Sequence, residues 1–377
     1  MSEQSRILRG SVRAIVGLLV VGVSATAIVL LGSVTLPAVN REPLALAVDT
    51  THNTDRTLVC AGSFSELGAD PSRPGVAIPT SAPAVTVAGA ASETSELARS
   101  EGGEGLPTVL KAPVNEVFAA AQIQAVQTET LRGVAASACT EPLNEQWLLG
   151  GSSTIGVSTT LSLANPGEVP ATVQITVFDE SGEVDAVQTA AVLVSPGTEQ
   201  TISLNGYAPE RERLAVRIVS TGAPVSATLG VGHLEGITPY AVDTVTAQAA
   251  PSKTLVVPGV ANVSEHEQGA GDVGEADLFG VEVRVLAPGG EAGTATARAI
   301  DAKGNATVLG EIQLASSGIG ELYVEHWPEG ANAVVIEADV PVIAGVLGSA
   351  QAGKERDYTW FTPAPFSRLI PRLPFPW

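Results

Sequence analysis

Two stretches of this chain repeat one order of strands and turns, and that repetition limits the fold more than any other feature. "LSLANPGEVPATVQITVFDESGEV" begins at Leu161 and "VRVLAPGGEAGTATARAIDAKGNA" at Val283. Pro166 aligns with Pro288, Asp179 with Asp301 and Gly182 with Gly304, at one constant offset. Further on, "LAVRIVSTGAPVSATLGVG" is echoed by "NAVVIEADVPVIAGVLGSA", with Pro224 opposite Pro341. A shared order with small length drift is the mark of duplicated units.

Within each copy the apolar residues alternate. Val173, Ile175 and Val177 face away from Thr172, Gln174 and Thr176, and Leu214, Val216 and Ile218 bracket Arg217. Val281, Val283 and Val285 alternate with Glu282 and Arg284. Period two predicts strands with one buried and one wet face, and "DESG" and "DAKG" predict hairpin turns. Six or seven such strands in roughly a hundred residues match an immunoglobulin-like sandwich. Aromatics are only 4% of the chain, while 39 glycines and 25 prolines punctuate it, as expected of many short strands. The expected fold is therefore mainly β: tandem immunoglobulin-like β-sandwich units after one N-terminal transmembrane helix.

That helix is expected because no residue from Ala14 to Asn40 is charged. About 20 apolar residues cross a bilayer core. Arg6, Arg9 and Arg13 precede the window, and Arg41 and Glu42 follow it. The positive-inside bias keeps 1–13 as a cytoplasmic tail, makes 14–40 a single-pass membrane anchor, and sends the bulk of the chain out of the cytoplasm. The small-x-small triplet Ala45-Leu46-Ala47 leaves a cleaved signal peptide as the other reading.

The chain has 20 Lys and Arg against 40 Asp and Glu, so a phosphate backbone is repelled and no nucleic-acid partner is expected. Cys60 and Cys139 are its two cysteines. In an oxidising compartment they are expected to form one disulfide, closing a loop of about 80 residues worth about 4 kcal/mol on the loop-entropy model.

"TLVCAG" at Thr57, "QWLLGG" at Gln146, "TLVVPG" at Thr254 and "YTWFTP" at Tyr358 read as one strand type used four times. They divide the outer part into a degenerate disulfide-closed β-unit over 41–145, β-sandwiches over 146–253 and 254–362, and a Pro/aromatic tail over 363–377. Proline-, glycine-, serine- and glutamate-rich composition predicts a disordered loop near 68–106 in the first unit. "NEVFAAAQIQAVQ", from Asn115, fits a short helix or strands equally.

No catalytic constellation is found. Gly150-Gly151-Ser152-Ser153-Thr154 lacks the second glycine of a nucleophile elbow and the lysine of a phosphate loop. It reads as a bend between units. His233 and His326 are expected at strand ends or turns, and no histidine pair has zinc-site spacing. The polar loop holding Glu265, Glu267, Asp272, Glu275 and Asp277 offers oxygens for Ca²⁺, but not in EF-hand order. It reads as a solvated insertion, and no metal or other cofactor is expected. The carboxylates Asp179 and Glu180 fall in a turn, and Trp147 and Trp360 read as packing residues of equivalent strands.

"ACTEPLNEQWLLGGSSTIGVSTTLSLANPG", with Cys139, Trp147, Gly150-Gly151 and Asn165-Pro166-Gly167 in that order, resembles a segment of an uncharacterised actinobacterial domain-of-unknown-function family. Its members are membrane-anchored extracytoplasmic β proteins. The resemblance implies location and β-architecture and supplies no catalytic residues. The expectation is a non-catalytic envelope scaffold or binding module for a protein or cell-wall polymer. A cell-wall hydrolase with a site assembled from distant residues is the alternative.

Overall fold

The computed structural model describes residues 55–364, except 68–69, 71, 74–75, 100–101, 186–190, 249, 265–279 and 353–354. The chain parts into Met1–Ala47 and Val48–Trp377, and every described residue falls in the second part. The expected anchor over 14–40 lies outside the described residues. Among those described, no helix is long and apolar enough to cross a membrane.

The architecture is mainly β. The first unit holds β1 (Asp55–Val59), β2 (Ser65–Leu67), β3 (Ala77–Pro79), β4 (Ala84–Ala88), β5 (Glu93–Glu96), β6 (Ala98–Arg99), β7 (Thr108–Pro113), β8 (Ala119–Gln127) and β9 (Arg132–Ala138). It forms the sheets β1-β7-β5 and β4-β8-β9 and the ribbon β2-β3. Cys60 and Cys139 are joined as expected, tying the end of β1 to the end of β9. They sit in a small core with Leu58, Leu110 and Phe118.

"NEVFAAAQIQAVQ" resolves as a strand. In β8 Ala119, Ala121, Ile123 and Ala125 point out, and Ala120, Gln122, Gln124 and Val126 point in. The two inward glutamines satisfy backbone that no strand pairs. The Gln122 amide accepts from Gly62 N–H and donates to Gly62 C=O, both at 2.9 Å. Gln124 accepts from Phe64 N–H at 2.7 Å and donates to Ser81 C=O at 2.6 Å.

The segment near 68–106 corrects the expectation of disorder, because β3 to β6 lie within it. Its composition does fail to build a core of its own. It is ordered by borrowed partners instead: β4 pairs β8, β5 pairs β7, and Leu97 packs with Val59, Val109 and Ala164. The two-residue β6 joins the strand Thr198–Ser203 of the next unit in parallel. There Arg99 forms a buried ion pair with Glu199, at 2.6 Å.

The second unit holds β10 (Glu145–Leu149), β11 (Val157–Asn165), β12 (Ala171–Phe178), β13 (Val192–Val194), β14 (Thr198–Ser203), the single-turn α1 (Leu204–Tyr207), β15 (Ala215–Gly222), β16 (Ser226–Glu235) and β17 (Thr238–Thr246). The third holds β18 (Ser252–Pro258), β19 (Val263–Ser264), β20 (Val281–Leu286), β21 (Gly293–Asp301), β22 (Ala306–Leu314), β23 (Ile319–Val324), β24 (Ala331–Ala352) and β25 (Glu355–Phe361).

The sequence repeat is a structural duplication. The sheets of the second unit run β10-β15-β12-β13 and β17-β16-β11-β14. Those of the third run β18-β24-β21-β22 and β25-β24-β20-β23. The order is the same, except that β24 is continuous where the chain breaks between β15 and β16. Pro224 lies in that break, and Pro341 lies where β24 passes from one sheet to the other. Each pair of sheets closes over its own core. Leu148, Leu161, Val173, Val216 and Leu229 contribute to one, and Val257, Val283, Ile312, Ile336 and Val346 to the other. Asp179 and Asp301 have the same local job. Each carboxylate caps the N–H groups of the turn after β12 or β21.

One proposed equivalence fails. β10 and β18 correspond, but β25 with Trp360 matches the closing strand β17, not β10 with Trp147. The "x-W-x" pattern marks a strand that turns a tryptophan into a core, and such strands occur at either end of a sandwich.

Replacing Cys60 and Cys139 together by alanine is expected to lower the stability of the first unit by about 2–5 kcal/mol. Denaturant unfolding followed by hydrogen exchange of β1 and β9 measures this. Unchanged protection there would show that the link adds nothing to the small core around it.

Candidate functional site

The second and third units meet along a seam that begins at Gly150-Gly151. Gly151 takes φ +77°, which turns the chain out of β10 so that Leu149 and Trp147 abut the third unit. Trp147, Leu149, Phe178 and Ala215 pack there against Leu286, Ile319 and Ile343. Contact is close enough that a Cβ on Gly345 would stand 2.5 Å from the Leu149 carbonyl oxygen. Buried Gln248 clamps the other side, donating to Ala344 C=O at 2.7 Å and accepting from Ala344 N–H at 3.2 Å.

Arg284 crosses the same seam. Its guanidinium donates to Gly151 C=O at 2.8 Å, to Glu321 at 2.8 Å and to Glu282 at 3.2 Å, and lies 4.9 Å from the Trp360 ring centre. Arg213 holds the other Glu321 oxygen at 3.1 Å. Burial raises the pKa of Glu282, and the Arg284 charge opposes that rise. The alternation in "VEVRV" predicts a wet face for Arg284, yet the residue is buried. The second unit covers this part of the face, and the guanidinium tolerates burial because its donors are satisfied.

A second polar centre ties β9, β17 and β25 together without ladder hydrogen bonds. Asp243 on β17 is fully buried and accepts the Trp360 N–H at 2.5 Å. Asp357 on β25 accepts the Val134 N–H of β9 at 2.8 Å and its neighbour Tyr358 N–H at 2.9 Å. Desolvation pushes Asp243 well above its ordinary range and Asp357 up to about 6, and backbone N–H donors oppose both shifts. Tyr358 and Trp360 insert into the core of the second unit, although β25 hydrogen-bonds to β24 of the third.

Beside the seam lies a groove of about 510 Å³. Its floor is the outer face of the sheet β10-β15-β12, where register places Trp147, Arg217 and Thr176 in one row. Gln174 and Glu183 extend the floor, and the turn at Pro288-Gly289 and Ser317 forms the wall. The Arg217 guanidinium stands 5.4 Å from the Trp147 ring centre and is held by Glu145 at 2.8 Å. The indole Nε1 of Trp147 is buried and has no hydrogen-bond partner among the described residues. The groove offers hydrogen-bond donors, acceptors and one cation on a rigid sheet, and no activated nucleophile.

The serines, histidines and carboxylates weighed from sequence for catalysis or metal binding lie elsewhere. Ser153 is committed to its own turn, donating to Ala208 C=O and accepting from Arg211 N–H at 2.9 Å. Ser152 likewise bonds Thr154 and Arg211 C=O. His233, on β16, lies 4.7 Å from the Tyr240 ring and 6.1 Å from that of Tyr358. Burial lowers its pKa, and among the described residues it bonds neither serine nor carboxylate. His326 is exposed in the turn after β23. Asp179 pairs with Arg211 at 3.0 Å, outside the groove. Glu265, Glu267, Asp272, Glu275 and Asp277 lie outside the described residues, among which no His, Cys, Asp or Glu cluster of metal-site size occurs. Sequence reading missed Asp243 and Asp357. The available signal was a carboxylate at a strand position flanked by valines in "AVDTVT".

A pH dependence follows from the β9-β17-β25 centre. Asp357 binds a proton more tightly folded than unfolded, so its contribution to stability is full below about pH 4 and is lost as pH rises through about 6. Asp243 and Glu282 shift in the same direction. Asp70 and Asp301 shift oppositely, but both are fully solvated. The thermal midpoint is expected to fall between pH 5 and pH 7 in the wild type and to fall less in Asp357→Asn. Equal falls in the two proteins would remove Asp357 from this account.

Neither a curated protein nor a solved structure matches the chain. A family model described as a family of unknown function, DUF5719, matches residues 97–367, from the β6 segment through β25. The duplicated sandwiches, their seam and the groove beside it therefore all belong to a member of the DUF5719 family.

Proposed function

We propose that this chain is a non-catalytic, membrane-tethered extracytoplasmic protein that binds a cell-envelope polymer or protein in the groove beside Trp147 and Arg217. The groove carries the reading. It is concave, polar and built on a sheet whose neighbours are locked by the seam, so its groups are held in place before a ligand arrives. Binding of this kind needs shape and hydrogen bonding but no group with altered reactivity.

Two features support the address. The uncharged window from Ala14 to Asn40, with arginines before it, suits a single-pass anchor with a cytoplasmic N-terminus. The disulfide suits an oxidising compartment. The resemblance noted above points to an actinobacterial envelope. The duplicated units are immunoglobulin-like in having two face-packed antiparallel sheets. In the second unit the first strand sits beside the sixth, and β18 holds the equivalent place beside β24, which is a variant of the immunoglobulin order.

The test uses the full-length chain, carrying at its C-terminus a phosphatase active only outside the cytoplasm. The fusion is expected to be active. The same chain is expected to sediment with insoluble cell wall, and Arg217→Ala is expected to weaken that association about tenfold, as loss of one charge-assisted hydrogen bond does. An inactive fusion, or an Arg217→Ala chain that binds as the wild type does, would overturn the proposal.

A further inference from the structure

The outer face of the β4-β8-β9 sheet differs from the rest of the molecule. Its outward positions on β8 are Ala119, Ala121, Ile123 and Ala125, all exposed. Register places Ala84, Thr86 and Ala88 of β4 beside them on one flank. Val134, Ala136 and Ala138 of β9 lie on the other. All six flanking residues are exposed too. No charge occurs at these ten positions, in a chain of net charge −20.

Small side chains make the face flat as well as uncharged. The sheet beneath is stiff, because Gln122 and Gln124 pin β8 from the inside through hydrogen bonds to Gly62, Phe64, Thr80 and Ser81. A patch of ten such residues covers roughly 500 Å², toward the upper end of what monomers leave bare.

We propose that this face docks against the same face of a second copy of the chain, the two sheets stacking across a two-fold axis. Three arguments select a second copy. A surface without pockets or prominent knobs fits only another flat, uncharged surface, and the chain supplies one itself. Two copies each carry a net charge of −20 and repel on average, whereas across these two faces no charges meet. Burying both faces removes roughly 1,000 Å² from water, the lower limit for a specific pair, so the dimer is reversible rather than obligate. Alanine lets the sheets approach more closely than the usual spacing of about 10 Å.

Single-cysteine variants of the full-length chain test this. The native cysteines are joined to each other, so an introduced thiol is the one that reacts. Ala121→Cys and Ala136→Cys place it on the face, and Val308→Cys places it on exposed β22 of the third unit. With a short bismaleimide, both face variants are expected to give covalent homodimer about fivefold more than Val308→Cys. Adding Ile123→Glu to Ala121→Cys is expected to reduce the product about fivefold, as charge repulsion across the axis requires. An intact Cys60–Cys139 link checks that each variant has folded. Equal dimer from Ala121→Cys and Val308→Cys, an adduct with a different protein, or no adduct would each overturn the proposal.

Discussion

The strand Glu355–Phe361 is the constraint on which the described structure depends. Its backbone belongs to the third unit, through the ladder with β24. Two of its side chains, Tyr358 and Trp360, belong to the core of the second. Between those two allegiances sit Asp357, which accepts a β9 amide, and the Trp360 amide, which Asp243 accepts. A single strand therefore touches all three units. Burying an aromatic pair is worth several kcal/mol, so separating the units would expose the most apolar part of the strand and take the Trp360 amide from Asp243 and the Val134 amide from Asp357.

Buried side-chain amides join backbone within the first and second units and across the seam to the third. Gln122, Gln124, Gln146 and Gln248 are all buried, and each spans a backbone N–H and a C=O with its side-chain amide. This imitates one rung of a ladder at places where no strand can reach. Buried backbone must be paired, and a glutamine pairs it without continuing a sheet. That allows sheets to meet at angles and leave a step between them. The groove beside Trp147 is such a step.

Much of the architecture is legible in the sequence. The offset between Pro166 and Pro288, carried on to Asp179 and Asp301, predicts two units with one order of strands, and the sheets have that order. Alternation in "ATVQITVF" predicts β12 and its buried face. The pair of cysteines predicts the link that is present. What is not legible depends on contact between units. Arg284 occupies a position that alternation marks as wet, and only the neighbouring sandwich reveals that it is covered. The strands within 68–106 are invisible to composition because their partners are distant in sequence. β25 misleads for a related reason: its pattern reports a buried tryptophan, not which strand of a sandwich it is. The groove was not legible at all, since Trp147, Arg217, Thr176 and Pro288 come from separate stretches of chain that only register and packing bring together.

The central claim is that β25 joins the second and third units into one body, which fixes the groove before any ligand binds. Hydrogen exchange of the full-length Trp360→Ala chain tests it most directly. Removing a buried indole costs about 3–5 kcal/mol. The account predicts that protection falls in β16 and β17 of the second unit as well as in β24 and β25 of the third. Protection lost only within Glu355–Phe361, with β16 and β17 unchanged, would contradict it.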